Sequence, residues 1–283
     1  MPSKIEIVRT VEKLRKKIFS WRKKGFSIGL VPTMGALHDG HFSLVQQSIS
    51  STDKTITTLF VNPKQFGPNE DLITYPTDEV ADISALDSQG VDMIFIPNLE
   101  EMYPVDFKTE IIVPGIGEIM EGVYRPGFFI GVATVVAKLL IQSLPDRAFF
   151  GEKDLQQLYV IKQMVTDLDI PVEVVGCPII REQDGLALSS RNIYLSKDER
   201  LRAVELYKTL DQIGEKIVKG ELISSAIEEG KKRLFNSGFS KVDYIAVCEN
   251  DNLTEIEYFQ STAYVLCAAW IGRTRLIDNI RVG

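Results

Sequence analysis

SIGLVPTMGALHDGHFSLVQQSIS, residues 27–50, is the stretch whose reading decides the fold. Ser27–Val31 is a short apolar run that reads as a buried strand, and Pro32–Leu37 reads as the loop that leaves it. Leu44, Val45 and Ile49 then recur at helical spacing, so a helix is expected from about Gly40 to Ser50. The same alternation continues along the chain. Thr55–Val61 is a β-rich strand ended by Asn62-Pro63. Val80, Ile83 and Leu86 mark a helix that stops at Gly90, and Val91–Ile96 gives the next strand. Ile130–Leu144 reads as a long apolar helix, Arg147–Phe150 as a strand, Asp154–Leu168 as a helix and Val172–Ile180 as a strand. Strands and helices in this order imply a parallel sheet with helices on both faces.

After about Arg181 the pattern changes. Lys197–Leu210 and Ile223–Phe235 read as helices, and Val242–Val247 and Ala263–Ile271 as strands. The fold class is therefore α/β: a Rossmann-like parallel-sheet domain over residues 1–182, followed by a smaller α+β C-terminal domain over 183–283. Arg181-Glu182-Gln183-Asp184-Gly185 is the most polar break in this region and is expected to be a hinge.

Composition narrows the function. With 32 Lys+Arg against 39 Asp+Glu the net charge is −7, which argues against a nucleic-acid binder. The basic run Lys13–Lys24 carries Val11, Leu14, Ile18 and Trp21 at helical spacing, so it reads as the solvated face of a helix. The longest apolar run, Ala263–Ile271, is about half of what a membrane span needs. The opening MPSKIEIVRT shows no secretory pattern, and cysteines 177, 248 and 267 make no CxxC pair. Buried thiols in a reducing cytoplasm are the expectation.

Only two histidines occur, both within His38-Asp39-Gly40-His41. They follow the first strand of the alternating region, where α/β sheets place ligands beside helix N-termini. Two imidazoles three apart at a helix start can donate to charge building on an α-phosphate and a departing pyrophosphate. The lesser alternatives are part of a zinc site, for which HExxH spacing is absent, and a structural cap or packing groups. Neither a Walker loop nor a GxGxxG fingerprint is present, since Gly115-x-Gly117 has Met120 in the third place.

Three further loops carry polar groups. Gly151-Glu152-Lys153-Asp154-Leu155-Gln156-Gln157 offers a mobile positive charge at Lys153, or an ordinary N-cap with a surface lysine. Leu186-Ala187-Leu188-Ser189-Ser190-Arg191-Asn192 presents two hydroxyls and a guanidinium, or a plain polar turn. Asn62-Pro63-Lys64-Gln65-Phe66-Gly67 offers the Gln65 amide beside an apolar wall at Phe66.

Four segments in this order, VPTMGALHDGH (31–41), FVNPKQFGPNEDL (60–72), FFGEKDLQQL (149–158) and DGLALSSRN (184–192), resemble the pantoate–β-alanine ligase (pantothenate synthetase) family. LIDNI (276–280) resembles that family's carboxyl end. His-Asp-Gly-His resembles the HxGH signature of class I adenylyl-transfer enzymes, and Leu188–Arg191 resembles the mobile KMSKS-type loop of that superfamily. The resemblance implies an AMP-forming ligase that makes an amide bond from (R)-pantoate and β-alanine. ATP would first give pantoyl adenylate and pyrophosphate, and β-alanine would then release AMP and pantothenate. It implies catalytic roles for His38, His41, Lys153, Ser189, Ser190 and Arg191. An ATP site would be lined by Pro32-Thr33-Met34-Gly35-Ala36-Leu37-His38-Asp39-Gly40-His41, Gly151-Glu152-Lys153-Asp154, Ile180 and Leu188-Ser189-Ser190-Arg191.

Gln65 and Gln157 would bind pantoate, and Gln65 would also border β-alanine. Mg²⁺ would be held mainly through ATP phosphates, with Asp82 as a candidate helper and no dedicated protein metal site. Partners would be small molecules, with neither nucleic acid nor membrane, and the assembly a homodimer. The C-terminal domain would act as a lid. Three positions depart from the pattern of many bacterial members: Thr77 stands where Arg is common, Phe128 where His is frequent and Ile130 where Arg is frequent.

Overall fold

Burial of strands on both faces organises the first half of the protein. The structure, a computed structural model, describes residues 5–68 and 70–283. The first four residues of MPSKIEIVRT and Asn69 of FVNPKQFGPNEDL lie outside the described residues. In chain order come β1 (Glu6–Val8), α1 (Val11–Arg22), β2 (Ile28–Thr33), α2 (Asp39–Ser51), β3 (Lys54–Leu59), α3 (Glu79–Gln89), β4 (Met93–Phe95), α4 (Leu99–Met102), α5 (Glu121–Tyr124), α6 (Phe128–Ser143), β5 (Arg147–Gly151), α7 (Leu155–Asp167) and β6 (Glu173–Cys177). The six strands form one parallel sheet in the order β1-β4-β3-β2-β5-β6.

Adjacent residues along each strand feed opposite layers. Leu30, Ile56, Phe95 and Phe150 pack with Leu14 and Ile18 of α1, Val136 and Leu140 of α6 and Ile161 of α7. Val31, Ile94 and Phe149 pack instead with Leu44 and Val45 of α2 and Leu86 of α3. This is the helix-covered parallel sheet that the alternation implies. The basic face of α1 is exposed, while Leu14, Ile18 and Trp21 are buried. β2 and β5 are neighbours although β3 and β4 intervene in sequence, so the strand order reverses there. A reversal of this kind opens a crevice at the carboxyl ends of the strands.

The chain continues with a short 3-10 turn (Ser190–Tyr194), α8 (Lys197–Ala203), α9 (Glu205–Val218), α10 (Ile223–Asn236), β7 (Phe239–Cys248), β8 (Ala263–Ile271) and β9 (Thr274–Val282). The three strands make an antiparallel sheet in sequence order. Val265, Cys267, Ala269 and Ile271 of β8 pack with Leu206, Leu210 and Ile213 of α9 and Ala226 and Leu234 of α10. The helix expected over Lys197–Leu210 is two helices. Val204 keeps helical angles (φ −61°, ψ −21°), so the hydrogen-bond ladder breaks with little change in backbone conformation.

Contacts divide the chain into two compact units. The first runs to Gly117 and takes in Arg125–Glu152 and Gln157–Pro178; the second holds Ile179–Gly283 together with Glu118–Tyr124 and Lys153–Gln156. Within the second unit, Arg275 pairs with both oxygens of Glu121 (2.8 and 2.7 Å) and with Asp243 (2.7 Å), and the Tyr244 hydroxyl donates to Glu121 (2.9 Å). These buried pairs explain why α5 groups with a sheet more than a hundred residues downstream. Cys177, Cys248 and Cys267 are buried free thiols; burial raises Cys177 to about 11 and Cys248 to about 12. Among the described residues no helix is long and apolar enough to cross a membrane.

Candidate active site

β2 ends at Thr33, whose hydroxyl donates to the Thr58 carbonyl (2.6 Å) and accepts from the Gly35 N–H (3.3 Å). The chain then turns through two left-handed residues, Gly35 (φ 91°) and Ala36 (φ 51°). A non-glycine residue in that region costs about 1–2 kcal/mol. The compensation comes from Asp82 on α3, a buried carboxylate whose two oxygens accept the N–H groups of Ala36 (3.0 Å) and Leu37 (2.9 Å). Asp82, expected as a helper for Mg²⁺, fastens this loop.

His38 is the N-cap of α2 and His41 is its third residue. The His38 Nδ1 accepts from the Gly40 N–H (3.1 Å), and the His41 Nδ1 accepts from the His38 N–H (3.4 Å). This is a capping box built from imidazoles instead of a hydroxyl and a carboxylate. It also sets the tautomer: with Nδ1 an acceptor in both rings, each neutral imidazole carries its proton on Nε2. The ring centroids are 4.1 Å apart. Both rings thus stand at the positive end of a 13-residue helix, where anions are favoured.

Gln65 closes the 3-10 turn Pro63–Gln65 after β3. Its Oε1 accepts from Asn62 (3.0 Å), and its Nε2 lies 3.1 Å from the Met34 Sδ, so it meets the histidine loop directly. Helix α6 approaches this turn so closely that a Cβ on Gly131 would fall 2.1 Å from the Lys64 carbonyl oxygen. Arg125 donates to both oxygens of Glu70 (2.8 and 2.6 Å) and to the Gln65 carbonyl (3.3 Å). Phe128 stacks on that guanidinium, 3.6 Å from centroid to Cζ, which gives the departure from the frequent His a definite contact. In this first unit Gly151 ends β5, Glu152 opens the 3-10 turn that follows, and Gln157 lies in the first turn of α7.

The remaining predicted residues fall in the second unit. Lys153 is partly buried, with its Nζ 4.0 Å from Asp154, and its carbonyl accepts from the Asn279 side chain (3.1 Å). Leu188 N–H donates to the Ile180 carbonyl (3.0 Å), so two predicted ATP-site segments lie side by side. Ser189 caps the Ser190–Tyr194 turn by accepting the Arg191 N–H (3.3 Å). The expected hinge Arg181–Gly185 is instead a tied turn inside this unit. Arg181 bridges to Ala187 through the backbone, pairs with both oxygens of Asp278 (2.6 and 2.8 Å) and donates to the Gly185 carbonyl (3.0 Å). Asp184 is tied to Arg200 at 2.7 Å. Among the described residues no three His, Cys, Asp or Glu side chains gather as metal ligands.

The family model for Pantoate-beta-alanine ligase matches residues 6–281. The chain belongs to the pantoate-beta-alanine ligase family. It is 50% identical to the pantothenate synthetase of Caldicellulosiruptor bescii and 47% identical to that of Rhodospirillum rubrum, covering 98% of this chain in both cases and 98% and 99% of those proteins. Its fold matches the crystal structure of pantothenate synthetase from Thermus thermophilus with a TM-score of 0.92 at 42% identity, over 98% of this chain and 99% of that one. It also matches, at TM-score 0.82 and 36% identity, the Francisella tularensis pantoate-beta-alanine ligase crystallised with a β,γ-ATP compound and β-alanine, over 98% and 97% of the two chains. The chain is thus a ligase that joins pantoate to β-alanine through an amide bond.

Several residues of this framework escape sequence reading. Asn62 and Tyr103 support Gln65, and Asp278 and Asn279 support Arg181 and Lys153. Asn62 reads only as the end of a strand. Asp278 and Asn279 stand in LIDNI, where two polar residues inside a buried strand are the available signal.

Proposed function

We propose that the chain condenses (R)-pantoate with β-alanine in two half-reactions at the expense of ATP. In the first, a pantoate carboxylate oxygen attacks the α-phosphorus. The bond to the bridging oxygen breaks, and pyrophosphate leaves with that electron pair. In the second, the β-alanine amine attacks the acyl carbon, the carbon–oxygen bond to AMP breaks, and the amine gives up a proton. The products are pantothenate and AMP.

The histidine capping box is the observation that carries this reading. Nδ1 of each ring is committed to a backbone amide, so each neutral ring offers an Nε2 proton beside the N-terminus of α2. That is the donor a phosphate chain needs as charge shifts onto pyrophosphate. His41 is assigned as the main donor and His38 as its neighbour on the same phosphate chain. Lys153, Ser189, Ser190 and Arg191 supply further charge and hydrogen bonds to ATP, and residues Pro32–His41, Gly151–Asp154, Ile180 and Leu188 complete its binding set. Gln65 and Gln157 bind pantoate, with Gln65 also beside β-alanine.

Mg²⁺ comes with ATP and neutralises its phosphates. The ion is assigned mainly to ATP oxygens, and Asp82 to holding the loop through its two amide hydrogen bonds. The Francisella relative crystallised with a β,γ-ATP compound and β-alanine supports both substrates. Three buried free thiols suit a reducing cytoplasm, and a homodimer is the assembly that family membership implies. An AMP-release assay tests the reading: AMP is expected only when ATP, pantoate and β-alanine are all supplied. AMP formed without β-alanine at the full rate would refute it.

A further inference from the structure

The side chain of Asn62 is 1% exposed, and all of its hydrogen-bonding positions are used. Its Oδ1 accepts from the Lys64 N–H (3.3 Å) and the Tyr103 hydroxyl (2.9 Å). Its Nδ2 donates to the Gly131 carbonyl (3.1 Å) and to the Gln65 Oε1 (3.0 Å). The amide cannot turn over, because a backbone N–H only donates and a backbone C=O only accepts. The Gln65 oxygen is thereby committed inward. The amide group that Gln65 turns to its other side is Nε2, now beside the Met34 thioether, a weak acceptor that a carboxylate or hydroxyl would outbid.

Tyr103 is built to serve this amide. It follows α4, with its N–H bonded to the Leu99 carbonyl (2.7 Å). Its ring lies between Phe60 and Phe107, with centroids 6.2 and 5.0 Å away. Burial pushes the phenol above its ordinary value, so the hydroxyl keeps its proton and stays a donor. We propose that Tyr103 is a positioning residue: by donating to Asn62 it holds Gln65 with its amide N–H turned toward pantoate. This rests on the assignment of Gln65 to pantoate.

The test compares steady-state kinetics of Tyr103→Phe, Gln65→Ala, the double variant and Gln65→Glu. Phenylalanine keeps the ring packing and removes only the donor. Losing one net hydrogen bond corresponds to about a five- to tenfold rise in pantoate KM for Tyr103→Phe, with ATP KM within about twofold. Gln65→Ala raises pantoate KM at least as much, and the double variant is no worse than Gln65→Ala alone. Effects of the two single variants that multiply in the double would overturn the relay, as would an unchanged pantoate KM in Tyr103→Phe beside a raised one in Gln65→Ala. An unchanged pantoate KM in Gln65→Ala would instead refute the assignment of Gln65, and the relay with it. Gln65→Glu carries the question even if Tyr103→Phe does not fold. It keeps an acceptor toward Asn62 but loses the N–H, so its pantoate KM should exceed that of Gln65→Ala. An equal or lower value would overturn the donor orientation.

Discussion

The Asp82 carboxylate accepts the Leu37 N–H at 2.9 Å, across 45 residues of sequence. Its other oxygen holds Ala36, which the chain forces into a left-handed conformation. One buried acidic group on α3 therefore fixes the loop that delivers His38 to the start of α2. The histidines are placed as much by a carboxylate on a neighbouring helix as by their own motif.

Replacing Asp82 with Ala leaves two loop amides without their acceptor, a cost of about 1–3 kcal/mol for each buried group left unpaired. The expected outcome is a raised ATP KM and a lowered kcat with Mg²⁺ dependence unchanged. A variant whose only defect is cured by excess Mg²⁺ would make Asp82 a metal ligand after all.

His41→Ala removes both the Nε2 donor and the reciprocal half of the capping box. Adenylate formation should fall at least about 10²-fold, the usual loss when a preorganised donor to developing charge is removed. Single-turnover pyrophosphate release measures it. His38→Ala should lose stability as well as rate, because an N-cap is worth about 1 kcal/mol, and its melting temperature should drop with its activity.

Lys153→Ala should also lower adenylate formation at least about 10²-fold, by removing a cation from the phosphate chain. Lys153→Arg keeps the charge but not the compact ammonium, and should recover part of the rate. Equal rates in the wild type and Lys153→Ala would remove this residue from the catalytic set.

Asp243 makes a prediction about pH. Burial pushes its carboxyl up, but hydrogen bonds from Lys241, Arg275 and Trp270 bring it below its ordinary value. A depressed folded pKa adds stability that is present above the ordinary carboxylate range and lost as pH falls through the depressed value. Melting temperature should therefore drop on acidification below about pH 4, where the unfolded carboxyl begins to bind protons. Asp243→Asn should flatten that acid limb and cost about 1–3 kcal/mol near neutrality, since Arg275 loses one charged partner while keeping Glu121.

The sheet was legible because its inner strands are buried on both faces and made largely of apolar or β-branched residues. Ile28–Thr33 and Lys54–Leu59 sit within two residues of where their hydrophobic runs lie. β1 is too short to stand out, and β9 is disguised by Asp278 and Asn279, whose burial depends on Arg181 and Lys153 elsewhere in the chain. The polar run Arg181–Gly185 looks like a hinge by composition because composition cannot show that Asp278, almost a hundred residues on, ties it down. The histidines and Gln65 were legible as residue types in loops after strands. Their supports were not: Asp82, Asn62 and Tyr103 act through long-range hydrogen bonds that no local spacing encodes.

The central claim is that pantoate alone activates ATP at the histidine loop before β-alanine takes part. Isotope exchange between labelled pyrophosphate and ATP measures this directly. The account predicts exchange with pantoate and Mg²⁺ in the absence of β-alanine, reduced at least about 10²-fold in His41→Ala. Exchange that appears only after β-alanine is added, or that persists unchanged in His41→Ala, would contradict it.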